Sequence, residues 1–326
     1  MAVDSKRRAI TTLLVSALAA LAALAICPFL GGSGMDYGKL WRQESPDWAI
    51  FLNLRLPRAI LALLSGGALA SSGAMFQALL RDALATPDNL GVTAAASLGA
   101  VLSISLLDGA ETSFPVVWLA AVAGAGLVAL LISALAATRK FSPMSLLLTG
   151  IAVNAMCAAV IMLLHSLAGI TRSFQITHWL MGGIDAVPYS TLAILALILT
   201  PLCFWVLLQA RVLNVISFGE TWAMGRGIDA RKKTWQGFLV GTLLVGTTTA
   251  ITGPIAFVGL IVPHLLRRMV GPDYRVLLPA SLFGGGAFLI LCDTIARTVL
   301  APAEIPVGVI TALLGGPFFV WLLWSR

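Results

Sequence analysis

Apolar runs, most of them near the ~20 residues an α-helix needs to cross a bilayer, recur along the whole of this sequence. Ten segments stand out, over roughly 9–30, 57–80, 90–107, 114–137, 143–166, 187–208, 235–252, 254–267, 276–296 and 305–324. Composition agrees: 59% of the 326 residues are hydrophobic and 11% are charged. Soluble domains hold about half and about a quarter. In hydrocarbon every backbone N–H and C=O must find its partner within the chain, which a helix achieves segment by segment. The expected fold class is an all-α polytopic membrane protein, one domain over 1–326 with about ten transmembrane helices. Lys6-Arg7-Arg8 before the first run resembles a signal peptide, but the run is long enough to span. Ile26 is too bulky for a lipidation site at Cys27, so the segment reads as a retained first helix.

The eighth segment decides the topology. Gly253-Pro254 interrupts an apolar run, and the piece after it is short. Read as a kink in one helix, it would leave nine spans and invert everything downstream. Charge chooses between the two, because Lys and Arg collect in cytoplasmic loops. With ten spans and both termini cytoplasmic, Lys39, Arg42, Arg55, Arg58, Arg172 and Arg297 lie outside, six of the 21 basic residues. Nine spans would also move Arg267, Arg268, Arg275 and Arg326 outside and nearly erase that bias. Between the fifth and sixth segments, 171–185 is amphipathic and reads as a short helix on the periplasmic surface. The polar stretch 211–233 is too long for a turn and reads as short helices on the cytoplasmic side.

The net charge of +7 follows from the same bias. No basic stripe interleaved with aromatics accompanies it, so nucleic acid is not an expected partner. Cys27, Cys157, Cys203 and Cys292 lie in or beside apolar runs without metal-ligand spacing, and read as small hydrophobes; no metal site is expected. Gly66, Gly67, Ala70, Ser71, Gly73 and Ala74 recur three and four apart in the second segment. Such a face lets helices approach closely, and close packing is the first reading, with a wall of a solute passage as the other. The same pair of readings covers Gly284-Gly285-Gly286 and Gly315-Gly316-Pro317.

A bundle that moves solute needs a source of energy. A phosphate-binding loop requires Gly-x-x-x-x-Gly-Lys-Ser/Thr, and the sequence has only Gly38-Lys39-Leu40. Ion coupling would bury carboxylates or histidines near the midplane. The fourteen acidic residues fall in loops or at segment ends, with Asp293 nearest to an exception, and His165, His178 and His264 fall near interfaces. The drive is therefore expected from a partner. Ser217 to Ile228 is where that partner could bind. Glu220 suits a helix start and Gly227 a left-handed stop, with Ala223 keeping one face small. An ordinary solvated loop is the competing reading. At the other face, Arg55, Arg58 and Arg297 oppose the usual charge bias; they either snorkel to lipid phosphates or form a docking ring for an acidic partner.

At these residues the chain resembles the FecCD-type permeases of bacterial ABC importers for iron–siderophores, haem and vitamin B12. The resemblance spans nearly the whole sequence. It rests on Arg55-Leu56-Pro57-Arg58, Gly67 to Gln77, Leu146-Leu147-Leu148-Thr149-Gly150, Trp179-Leu180-Met181-Gly182-Gly183 and Gly219-Glu220. Further along come Gly253-Pro254 through His264, Asp293-Thr294-Ile295-Ala296-Arg297 and Glu304 to Ala312.

The resemblance implies a homodimer in the bacterial inner membrane, with the passage along the dimer axis. It implies two cytoplasmic ATPase subunits, which hold ATP and Mg, gripping the loop of Gly219, Glu220, Ala223, Met224 and Gly227. A periplasmic solute-binding protein would meet Arg55, Arg58 and Arg297. The cytoplasmic gate would fall at Ser142, Pro143 and Met144 and in the loop of Asp82 and Leu84. There the sequence departs from the family, which often has a more polar first gate and Asn-Pro where Asp82-Ala83 stands. No cofactor of the chain's own and no covalent chemistry are implied. Solute is expected to pass by alternating access, with ferric siderophores favoured over cobalamin and haem. The rivals are an ion-coupled secondary transporter and a membrane enzyme; for the latter the sequence offers no nucleophile–base pair.

Overall fold

The computed structural model describes residues 2–31, 36–107, 114–137 and 143–324. Among them the regular structure is helical throughout, and a helix stands at each of the ten expected segments. The ten are α1 (Ala2–Ile26), α4 (Leu56–Leu80), α5 (Val92–Leu106), α6 (Phe114–Ala137), α7 (Pro143–Leu167), α9 (Tyr189–Leu208), α12 (Ala230–Thr252), α13 (Val258–Val270), α14 (Tyr274–Thr298) and α15 (Val307–Trp324). Five shorter helices lie between them: α2 (Tyr37–Trp41), α3 (Asp47–Ile50), α8 (Ile170–Leu180), α10 (Ala210–Ser217) and α11 (Glu220–Met224).

Helix α4 is the centre of the bundle. A π-type turn over Phe51–Arg55 leads into it, and Pro57 occupies its first turn, where a missing N–H costs nothing. Nearly all of it from Ser65 onward is buried, with α14, α12, α13, α9 and α10 packed around it. Glycine explains how they come so near. A Cβ on Gly66 would overlap the carbonyl of Gly285 in α14, and one on Gly285 would overlap that of Gly66. A Cβ on Gly73 would lie 2.6 Å from Gly259 Cα in α13. These glycines serve close packing, the first of the two readings the sequence offers. By contrast α7 turns much of its surface outward, with Met144, Leu148, Ile151, Met156, Met162 and Leu163 all exposed. An exposed apolar face of that kind is what lipid, or a second copy of the chain, would cover.

The break at Gly253-Pro254 is real. Gly253 adopts φ 65°, α12 ends at Thr252, and α13 starts at Val258, four residues later than its segment suggests. With 13 residues, α13 is about 20 Å long and falls short of a ~30 Å hydrocarbon core. The end of α12 and the start of α15 are tied to the irregular backbone after α8. Gly183 N–H donates to Thr252 O at 2.8 Å, and Gly308 N–H donates to Gly182 O at 3.0 Å. Three of the motifs that carry the resemblance thus meet at one junction, at the end of α8, the α12–α13 break and the start of α15. Irregular backbone at membrane depth is tolerated when it is paired in this way.

The other boundaries shift by a few residues. Helix α8 ends at Leu180, and 182–188 are irregular where the sequence suggests a helix to 185; α12 begins at Ala230, so 230–233 belong to it and not to the preceding loop. All four cysteines are buried free thiols.

Candidate functional site

Two clusters of polar side chains lie at the two ends of α4. At its start, Asp293 in α14 is 1% exposed and shared by two guanidinium groups. Arg58 Nε donates to its Oδ1 at 3.0 Å, and Arg297 Nε donates to its Oδ2 at 3.0 Å. Arg58 also reaches Glu304 through Nη1 at 2.7 Å, so one arginine joins a buried carboxylate to an exposed one. Arg55 is buried beside them and donates through Nη1 to Phe29 O at 3.4 Å. Arg297 donates through Nη1 to Leu30 O at 3.3 Å, while its Nη2 is buried without a hydrogen-bond partner among the described residues. Beside the arginines is a cavity of about 290 Å³ that also touches Gly31, Ala186 and Glu304. The three arginines singled out by sequence therefore converge. Arg58 and Arg297 meet carboxylates of the chain itself, while Arg55 is held by the backbone carbonyls of Pro28 and Phe29. The Asp293–Arg297 pair has the four-residue helical spacing that could have revealed it.

At the far end, α4 closes on Arg81, which takes a left-handed conformation (φ 55°, ψ 32°). Arg81 N–H donates to Ala78 O at 3.3 Å and Asp82 N–H to Gln77 O at 3.2 Å, the paired bonds of a Schellman stop. Asp82 Oδ1 then accepts from Leu84 N–H at 2.9 Å and folds the next residues into a tight turn. Gln77 is buried; it donates to Gly259 O at 3.3 Å and accepts from Arg267 at 2.7 Å, fixing α13 to this end of α4.

Above this end sits the segment 217–228. Gly219 has φ 128°, and α11 runs from Glu220 to Met224. Gly227 stops it in the left-handed region at φ 72°, where Ile228 N–H donates to Ala223 O and Gly227 N–H to Met224 O, both at 2.9 Å. Ala223 is fully buried, while Phe218 (75%), Trp222 (61%) and Met224 (61%) are exposed, with Arg226 lying over the Trp222 ring. The segment is pinned from below by α10: Asn214 Nδ2 donates to Asp273 at 2.7 Å, and Asn214 Oδ1 accepts from Tyr274 N–H at 2.8 Å. With a small face turned in and large apolar groups turned out, the segment is a folded and anchored element and not a loose loop.

The expected gate residues are less gathered. Asp82 and Leu84 belong to the turn after α4; Met144 is 64% exposed in the first turn of α7, which Pro143 opens. Ser142 lies outside the described residues. Among the described residues no group of three or more His, Cys, Asp and Glu could hold a metal.

The chain is similar to known proteins over almost its whole length. The model of the FecCD transport family matches residues 13–325. The hemin transport system permease protein HmuU of Yersinia pestis is 38% identical over 302 residues, 90% of this chain and 89% of that one. The vitamin B12 import system permease protein BtuC of Vibrio vulnificus strain CMCP6 is 38% identical over 280 residues, 86% of this chain and 84% of that one. A solved structure described as an inward-facing conformation of a metal-chelate type ABC transporter superposes with a TM-score of 0.86 at 27% identity, covering 98% of this chain and 100% of its own. With ten helices where the sequence calls for spans and a family match from end to end, the chain is a multi-pass membrane protein that belongs to the FecCD transport family.

Proposed function

We propose that the chain is the permease subunit of an ATP-driven importer in the bacterial inner membrane, working as a homodimer. Two cytoplasmic ATPase subunits dock on 217–228, and they, not this chain, hold ATP and Mg. A periplasmic binding protein delivers cargo at the arginine end of α4. The cargo is a metal chelate in a large organic ligand, the class to which haem, cobalamin and ferric siderophores belong, and it moves from periplasm to cytoplasm without covalent change.

The observation that carries this reading is the anchored helix α11, with Ala223 buried and Phe218, Trp222 and Met224 exposed. A chain with no phosphate-binding motif needs such a contact to receive work from ATP. The cavity lined by Arg55, Arg58 and Arg297 supports the role of the other end, since their charge would favour an acidic partner there. Asp293 does not favour ion coupling, because both of its oxygens are taken by arginines of the chain.

The test is reconstitution of the chain in liposomes with its ATPase and binding protein, supplying haem, cobalamin or a ferric siderophore in turn. One of the chelates should raise ATP hydrolysis and accumulate only when ATP is present. Accumulation by the chain alone, driven by a proton or sodium gradient, would overturn the reading.

A further inference from the structure

Arg81 stands where a helix stop favours glycine. Its left-handed backbone satisfies the last carbonyls of α4, and a residue with a Cβ is strained there. Elsewhere in this region the chain does use glycine for such work, as at Gly227. Strain held at one residue is a reason to ask what its side chain does.

The side chain reaches segment 217–228. Arg81 Nη2 lies 3.8 Å from Glu220 Oε1, and Arg81 Nη1 is the heavy atom that a Cβ on Gly219 would meet first, at 3.8 Å. Both members of the pair are substantially exposed, 36% and 55%, so the contact adds little to stability and does not offset the strain. Its position is the informative part. Arg81 is continuous with the buried rod of α4 on one side and with the Asp82–Leu84 turn on the other, and that turn is bonded into a compact unit. A displacement of α11 relayed through the guanidinium therefore reaches α4 and the turn together. A cavity of about 610 Å³ beside the pair, touching Gln77, Ala83, Phe218 and Arg267, leaves the segment space to shift against α4.

We infer that Arg81 is a positioning residue that couples the ATPase-docking helix to α4 and the Asp82–Leu84 turn, with Glu220 as its partner. The inference rests on the importer reading above, and it deepens that reading by naming the link through which the work enters the bundle. Glycine at position 81 relieves the backbone while removing the link, so stability and coupling separate in the experiment.

The measurement is uptake per ATP hydrolysed by the reconstituted complex, for the unaltered chain, Arg81→Gly and Arg81→Lys, beside their melting temperatures in detergent. Arg81→Gly should melt at or above the unaltered protein, yet its uptake per ATP should fall about fivefold or more, the range of a working coupling between sites. Arg81→Lys keeps a charge within reach of Glu220 and should recover at least about half of the coupling. Equal uptake per ATP in Arg81→Gly and the unaltered chain would overturn the inference and leave the importer reading standing. So would parallel losses of coupling and melting temperature in both variants, since those mean a structural role. Absence of ATP-dependent uptake in the unaltered complex would overturn both.

Discussion

A carboxylate as deep as Asp293 persists as an ion only because Arg58 and Arg297 each give it a charged hydrogen bond. The converse is the useful part: both guanidinium groups depend on it, and Arg297 has no other acidic partner recorded among the described residues. Asp293→Asn keeps the shape and removes the charge, and should cost about 3–5 kcal/mol, the loss expected when one member of a buried pair goes. Glu304→Gln removes an exposed carboxylate and should cost about 0–1 kcal/mol. Thermal unfolding in detergent compares them; near-equal losses would mean that the cluster is wetter than its burial indicates. The Arg297 half of this cluster is open to reading from the sequence, because residues four apart share a helix face, although no such pairing is among the expectations above. The Arg58 half joins residues 235 positions apart, and no local spacing encodes that. The Arg81–Glu220 contact is hidden for the same reason, although each residue stands in a stretch the sequence marks out.

Helix length and apolarity make the elements legible, whereas their packing depends on which side chain is missing. The Gly-rich face of α4 announces close approach, but its partners, Gly259 and Gly285, appear only once the bundle is assembled. Gly73 and Gly126 separate the two reasons for a glycine in a helix. A Cβ at Gly73 meets the backbone of α13, whereas one at Gly126 in α6 meets nothing within 4 Å. Gly73→Ala should therefore destabilise by about 1–3 kcal/mol through overpacking. Gly126→Ala should stabilise by roughly 0.5–1 kcal/mol through helix preference alone. If the two shift melting in the same direction, contact between α4 and α13 is not what Gly73 provides. The α12–α13 break follows the same logic. Gly253-Pro254 signals a stop, yet the reason it is tolerated lies in its neighbours: Gly182, whose Cβ would overlap Pro254 O, and Gly308, whose N–H bonds to Gly182 O.

Across the molecule, α4 is a rod of 25 residues, about 37 Å long, with the Arg58–Asp293–Arg297 cluster at its start and Arg81 at its end. A rod buried along most of its length is suited to carry displacement between the two ends proposed above as docking faces. Its ends serve an importer only if they face opposite compartments in the sense that the basic loops dictate. The bias of Lys and Arg predicts that the Arg81 end faces the cytoplasm, and ten crossings would keep both termini there. Thiol labelling can read this directly, because Cys27, Cys157, Cys203 and Cys292 are buried and give little background. Trp222→Cys places a thiol at an exposed position on α11, and Glu304→Cys places one at the rim of the arginine cluster. A membrane-impermeant reagent should label Cys at 304 in spheroplasts and Cys at 222 only in inverted vesicles. Labelling of both from one side would mean an even number of crossings between residues 222 and 304, counted along the chain, and would place the two faces in the same compartment. The reverse pattern would keep the rod but point the transporter outward. Only the expected pattern lets ATP bound in the cytosol act on α11 while cargo arrives at the arginines.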